Sequence, residues 1–143
     1  METVNSKAIT VETRVEAPMS VVWNYWNQPE HITNWCFATE DWHAPFSEND
    51  LRPGGKLRTT MAAKDGSFSF DFEGTYEVVE ENKRLVYVLG DGRKVEVLFG
   101  EEGGATTLVE TFDMETTHPE DMQRQGWQAI LDNFKKYTEA AQQ

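Results

Sequence analysis

A chain of 143 residues, 38% hydrophobic and 12% aromatic, has the size and make-up of one ordinary domain with a real core, and its 27% charged residues do not point to disorder. Its 13 basic against 25 acidic residues leave a net charge of −12, which opposes binding to nucleic-acid phosphates and to anionic membrane surfaces. No apolar run approaches a bilayer span, METVNSKAIT lacks the order of a signal peptide, and a single cysteine closes no internal disulfide, so a cytoplasmic location is expected.

In chain order, AITVETRVEA (8–17) alternates Ile9, Val11, Thr13 and Val15 against polar residues, the period of a strand with one buried face. Pro18 stands where a helix can begin, and MSVVWNYW follows as a short helix with Val22 and Trp26 four residues apart. Pro29 opens a second short helix, PEHITNW, with Ile32 and Trp35 on one side. From 38 to 114 the pattern is that of about six strands in an antiparallel meander, because the links are short. After a Gly54–Gly55 turn comes a strand with Leu57, Thr59 and Met61 on one side, and KDG at 64–66 marks a hairpin.

SFSFDFEGTYEVVE (67–80) is the clearest strand, with Phe68, Phe70, Phe72, Tyr76 and Val78 expected on one buried face. Gly74 interrupts that face, as at a bulge or where a backbone or ligand comes close. RLVYVL and KVEVLF flank the turn GDG, and GEEGG precedes ATTLVETFDM. The tail is a long helix, with Thr117 and Glu120 matching a capping box. Its apolar stripe is Trp127, Ile130, Leu131, Phe134, Tyr137 and Ala141, with Gln128, Asp132, Lys135, Lys136 and Glu139 opposite. The first few and last few residues are expected to fray.

This order, a strand, two short helices, six strands and a long helix, defines an α+β fold. The stretches EAPMSVVWNYWNQPEHITNW, DLRPGG, FEGTYEVVEENKRLVY, GATTLVETF and GWQAILDNFKKY resemble the activator of heat-shock protein 90 ATPase homologue domain of the START/Bet v 1-like (SRPBCC) superfamily. The resemblance spans nearly the whole chain as one domain, 1–143. It implies a helix-grip fold, a curved antiparallel sheet of six to seven strands around the C-terminal helix, with a cavity between them. In that superfamily the cavity commonly takes apolar molecules, and a minority of members are enzymes of the cyclase, aromatase or hydrolase kind. The family name also implies a chaperone partner. The eukaryotic co-chaperones, however, carry a further N-terminal domain that this sequence is expected to lack.

Several residues invite chemistry. His31, Cys36 and His43 have metal-binding and nucleophilic atom types, but their spacing matches no standard zinc pattern. On a helix His31 and Cys36 would stand roughly 140° apart. The simpler expectation is an exposed His31, a small buried Cys36 and a His43 on the next strand, with no metal and no cofactor. A Cys36–His43 nucleophile pair would need hydrogen-bond contact that spacing alone does not supply. Trp23, Trp26, Trp35 and Trp42 are expected as core or as rings at the mouth of the cavity.

Glu110 shares a strand face with Leu108, Phe112 and Met114, which suggests an inward carboxylate; the alternative register puts Thr107, Val109 and Thr111 inside. DLRPGGKL lacks the phosphate-loop pattern and is a turn. The expected function is binding of a small hydrophobic or aromatic molecule by a monomer or weak dimer. The expected cavity lining is Trp26, Trp35, Phe70, Phe72, Tyr76, Tyr87, Val97, Phe99, Glu110, Phe112, Trp127, Leu131 and Phe134. No residue is assigned a catalytic role. An enzyme would have to use Glu110, Tyr76, Tyr87 or His43.

Overall fold

The computed structural model describes residues 7–142, and the fraying expected at the two ends falls chiefly outside that range. The elements run β1 (Ala8–Val15), α1 (Met19–Asn27), α2 (Pro29–Ile32), β2 (Trp42–Asn49), β3 (Lys56–Ala63), β4 (Ser69–Glu80), β5 (Arg84–Leu89), β6 (Lys94–Glu102), β7 (Ala105–Asp113) and α3 (Glu120–Ala140). Seven strands form one antiparallel sheet in the order β1-β7-β6-β5-β4-β3-β2, curled around α3. This is the helix-grip α+β arrangement. Short links force the antiparallel pairing, and the β6–β7 link is the tightest, with Gly103 and Gly104 both at positive φ (61° and 82°).

Both sheet edges are managed. On β2 the register shifts between His43 and Phe46, and Pro45, which has no N–H to donate, sits in that irregularity. At the other edge α3 lies along β1. Gln128 Nε2 donates to the Glu12 carbonyl (3.0 Å), Lys135 Nζ to the Arg14 carbonyl (2.5 Å), and Glu139 accepts from the Glu16 N–H (2.8 Å). The polar side of the helix expected to face solvent therefore also seals a strand edge.

Three local expectations are corrected. The second short helix ends at Ile32, and Trp35 and Cys36 stand in the turn that follows. The capping box does not form: Pro119 is the N-cap of α3, without a side-chain cap bond. Instead Gln123 folds back, accepting from the Glu115 N–H and donating to the Glu115 and His118 carbonyls (3.0, 3.0 and 2.8 Å), and so fastens the β7–α3 loop. The buried line of α3 includes Gln123, Leu131, Phe134 and Thr138, while Ala141 is exposed.

The third concerns β4. Phe68 and Phe70 are 59% and 43% exposed, because this end of the hairpin overhangs the core; their rings meet Trp42 edge to face. A bulge between Tyr76 and Val78 resets the alternation, so Val79 packs on the core. Gly74 is closely approached as expected, but by the ring of Tyr87 rather than by backbone or ligand.

Candidate functional site

Between the concave face of the sheet, the turn after α2 and the N-terminal half of α3 lies a cavity of about 570 Å³. That is within the usual range for small-molecule sites. Its walls come from alternate residues of the strands, Leu57, Thr59 and Met61 on β3, Phe70, Phe72 and Tyr76 on β4, Tyr87 on β5 and Glu110 on β7, faced by Gly126, Trp127 and Ile130 of α3. It opens where the exposed side chains of Phe70 and Met122 stand, with Arg93, Glu115 and His118 also on its boundary. Arg93 pairs with Asp91 (2.7 Å), and His118 Nδ1 meets Glu115 Oε2 at 2.9 Å, so the polar side chains at the opening have partners on the chain itself.

Of the thirteen side chains expected to line the cavity, Trp26, Trp35, Phe70, Phe72, Tyr76, Tyr87, Glu110 and Trp127 do so. Val97, Phe99, Phe112, Leu131 and Phe134 do not; each is buried in the surrounding core. The reason is stacking in depth. Phe112 lies flat against Trp127 (centroids 3.9 Å apart, 9° between planes), so Trp127 presents the cavity surface and Phe112 backs it. Phe134 fits edge-on against both Trp26 (5.0 Å) and Trp35 (4.9 Å), which stack on each other at 4.7 Å. Trp35 is fixed further by its indole N–H, which donates to the Tyr25 carbonyl at 3.0 Å. Trp26 and Trp35 thus border the cavity and close one end of it.

Sequence reasoning missed the β3 wall and Gly126. The β3 side of Leu57, Thr59 and Met61 was visible as a periodic face, but the face gave no sign of whether helix or cavity lay against it. Gly126 sits in the middle of α3 with nothing within 4 Å of where its Cβ would be, so the cavity occupies the space a side chain would fill.

The polar groups divide into tethered and free. Tyr76 Oη donates to Asn49 Oδ1 (2.8 Å), and Asn49 Nδ2 donates to the Asn27 carbonyl (2.8 Å), so that hydroxyl is held. Thr59 Oγ1 is bonded to Ser47 Oγ (3.0 Å). Glu110 faces inward. It is 5% exposed between Val11 of β1 and Val97 of β6, lines the cavity, and makes no side-chain hydrogen bond or ion pair with any described residue. Burial alone pushes its carboxyl up to about 8, so at neutral pH it is largely the neutral acid, able to donate and accept. The same region holds Tyr87, whose hydroxyl is raised well above its ordinary value by burial and then by the charge of Glu110. The Cys36 thiol is pushed up to about 12 by burial and then by Glu110, which leaves it unsuited to thiolate chemistry.

The two histidines part company with Cys36. His31 is not exposed: it stacks on Tyr25 of α1 (3.9 Å, 12°), and its Nδ1 meets Tyr137 Oη of α3 at 2.7 Å, so it ties the three helices together. His43 is exposed and borders a separate shallow depression beside the β3–β4 turn. Among the described residues no three His, Cys, Asp or Glu side chains converge to hold a metal ion, and no helix is long and apolar enough to cross a membrane.

A curled antiparallel sheet gripping a long helix, with an aromatic cavity between them, defines a protein of the START/Bet v 1-like class. The chain belongs to the Activator of Hsp90 ATPase homolog 1-like protein family, whose model matches residues 16–139. It is similar over its length to the AHSA1-like protein from Aeromonas hydrophila, solved by NMR (48% identity, 95% of this chain and 94% of that one, TM-score 0.89). It is also similar to a protein from Cytophaga hutchinsonii (53% identity, 94% and 93% covered, TM-score 0.80). A protein from Nitrosomonas europaea at 19% identity (94% and 95% covered, TM-score 0.81) shares the fold. A search of curated proteins gave no match.

Proposed function

We propose that this protein binds a small hydrophobic or aromatic molecule in the cavity between sheet and α3, and that it works as a binding protein rather than a catalyst. The observation that carries the reading is the cavity itself: about 570 Å³ of aromatic-lined space retained beside Gly126, where an ordinary helix residue would have intruded. An apolar concavity with few polar groups favours apolar ligands through the area it removes from water, and its polar groups orient them. A second reading, proton-transfer catalysis, rests on Glu110 alone. Tyr76 is tethered, the Tyr87 hydroxyl and the Cys36 thiol are held neutral by burial, and His43 lies outside the cavity, so the acid has no assembled base beside it.

Native mass spectrometry of freshly purified protein tests the binding reading, with Gly126→Phe as the comparison. A co-purifying small molecule present on the native chain and absent from the variant is the expected result. The same molecule retained by both would place it outside the cavity.

A further inference from the structure

Among the described residues, Glu110 is the carboxyl on the cavity wall that has no partner. It is 5% exposed. The other titratable groups around the cavity are accounted for. Cys36 on the turn after α2 and Tyr87 on β5 are held neutral, Tyr76 on β4 is bonded to Asn49, Arg93 in the β5–β6 turn pairs with Asp91, and Glu115 and His118 before α3 pair with each other. The cavity residues of α3 are Met122, Gln123, Gly126, Trp127 and Ile130, and that of α1 is Trp26; none is charged.

We infer that the ligand is a protonated hydrophobic or aromatic amine, whose ammonium group pairs with the carboxylate of Glu110 while its apolar body lies among the aromatic rings. The inference rests on the cavity reading above and deepens it. A ligand carboxylate is disfavoured by the net charge of −12 on the whole chain. A ligand hydroxyl or carbonyl needs no more than a neutral hydroxyl such as that of Tyr87 on the cavity wall, and makes no use of the charge a carboxylate supplies. A cation gains from the negative field of the chain, from the aromatic rings that line the cavity, and from the unpartnered carboxyl of Glu110. Binding then has a definite proton balance. The free protein carries Glu110 as the neutral acid below about 8, the amine arrives with its own proton, and forming the pair sends the carboxyl proton to solvent.

Calorimetric titration with naphthylmethylamine and its neutral isostere naphthylmethanol tests this. The amine is expected to bind at least roughly tenfold more tightly at pH 8, the difference one charge-assisted contact supplies. Its affinity is expected to climb by up to tenfold per pH unit towards the Glu110 transition, because one proton is released. Glu110→Gln is expected to remove the amine preference over naphthylmethanol and the pH dependence; the pH series on the native chain stands independently of the variant. If naphthylmethanol binds as tightly as the amine, or if Glu110→Gln keeps the preference, the inference is overturned and the cavity reading survives. If neither compound binds, the cavity reading falls and the inference with it.

Discussion

The ring of Tyr87 lies across Gly74 on the neighbouring strand, so close that a Cβ on Gly74 would stand 2.7 Å from Tyr87 Cδ2. The pairing sets this up: Gly74 is opposite Leu89 and Tyr76 opposite Tyr87, so Gly74 is the diagonal neighbour of the ring. Phe72 and Tyr76 flank it edge to face at 6.2 and 5.8 Å. Gly74→Ala therefore forces the ring away from the sheet and into the cavity. We expect a loss of about 1–3 kcal/mol, the usual cost of overpacking, read as a lower urea midpoint. An unchanged midpoint would show that the ring moves freely and is not positioned by Gly74.

Glu110 makes stability depend on pH in a stated direction. Its folded carboxyl titrates near 8 against about 4.5 for the ordinary group, so below 4.5 both states are neutral and the group contributes nothing. Between those values the unfolded chain ionises while the folded one stays protonated, and stability falls as pH rises; above about 8 the penalty is complete. Glu110→Gln should gain little at about pH 5 and a few kcal/mol at about pH 8.5 in denaturant unfolding. An equal effect at both ends contradicts an inward, unpartnered carboxyl.

Cys36 is 9% exposed, and its thiol is raised to about 12 by burial and then by Glu110. The thiolate is the reacting species, so the native chain should resist a disulfide-exchange reagent at mildly alkaline pH and react fully once unfolded. Rapid native labelling would place Cys36 at the surface.

Phe134 has no exposed area and stands edge-on against the stacked pair of Trp26 and Trp35. Phe134→Ala should cost about 3–5 kcal/mol, because the stacked tryptophans cannot close on the space. A loss below about 1 kcal/mol in equilibrium unfolding would mean that this end of the fold is loosely packed.

Much of this was legible in the chain, and the failures have physical causes. Period-two alternation in AITVETRV and ATTLVETFD and the glycine turns between strands fix an antiparallel sheet, and the 3.6-residue stripe from Trp127 to Tyr137 fixes the helix. Alternation fails on β4 because it marks which residues share a side, not how far the core extends. Phe68 and Phe70 lie beyond it, and the bulge after Tyr76 changes the face. Depth fails for the same reason: Phe112 and Trp127 are both apolar and periodic, yet one backs the other. Glu110 could not be oriented from its strand alone, because Leu108, Phe112 and Met114 on one side and Val109 with two threonines on the other are both plausible interiors. Pairing with Val97 and Val11, both buried, decides it. His31, expected exposed, instead serves the helix packing, because Tyr25 and Tyr137 on two other helices meet its ring, while His43 stands on the next strand as expected.

Gly126 makes the cavity testable without disturbing its polar group. Alanine there should stabilise the chain by about 0.5–1 kcal/mol, since glycine is costly inside a helix and its Cβ has open space.

The most direct test of the cavity as a binding site is a two-dimensional NMR titration with naphthylmethanol, following the indole N–H signals of Trp26, Trp35 and Trp127. Saturable shifts of these three, lost in Gly126→Phe, are the expected result. Shifts confined to residues around the exposed Phe68 and Leu98, or none at all, would contradict it.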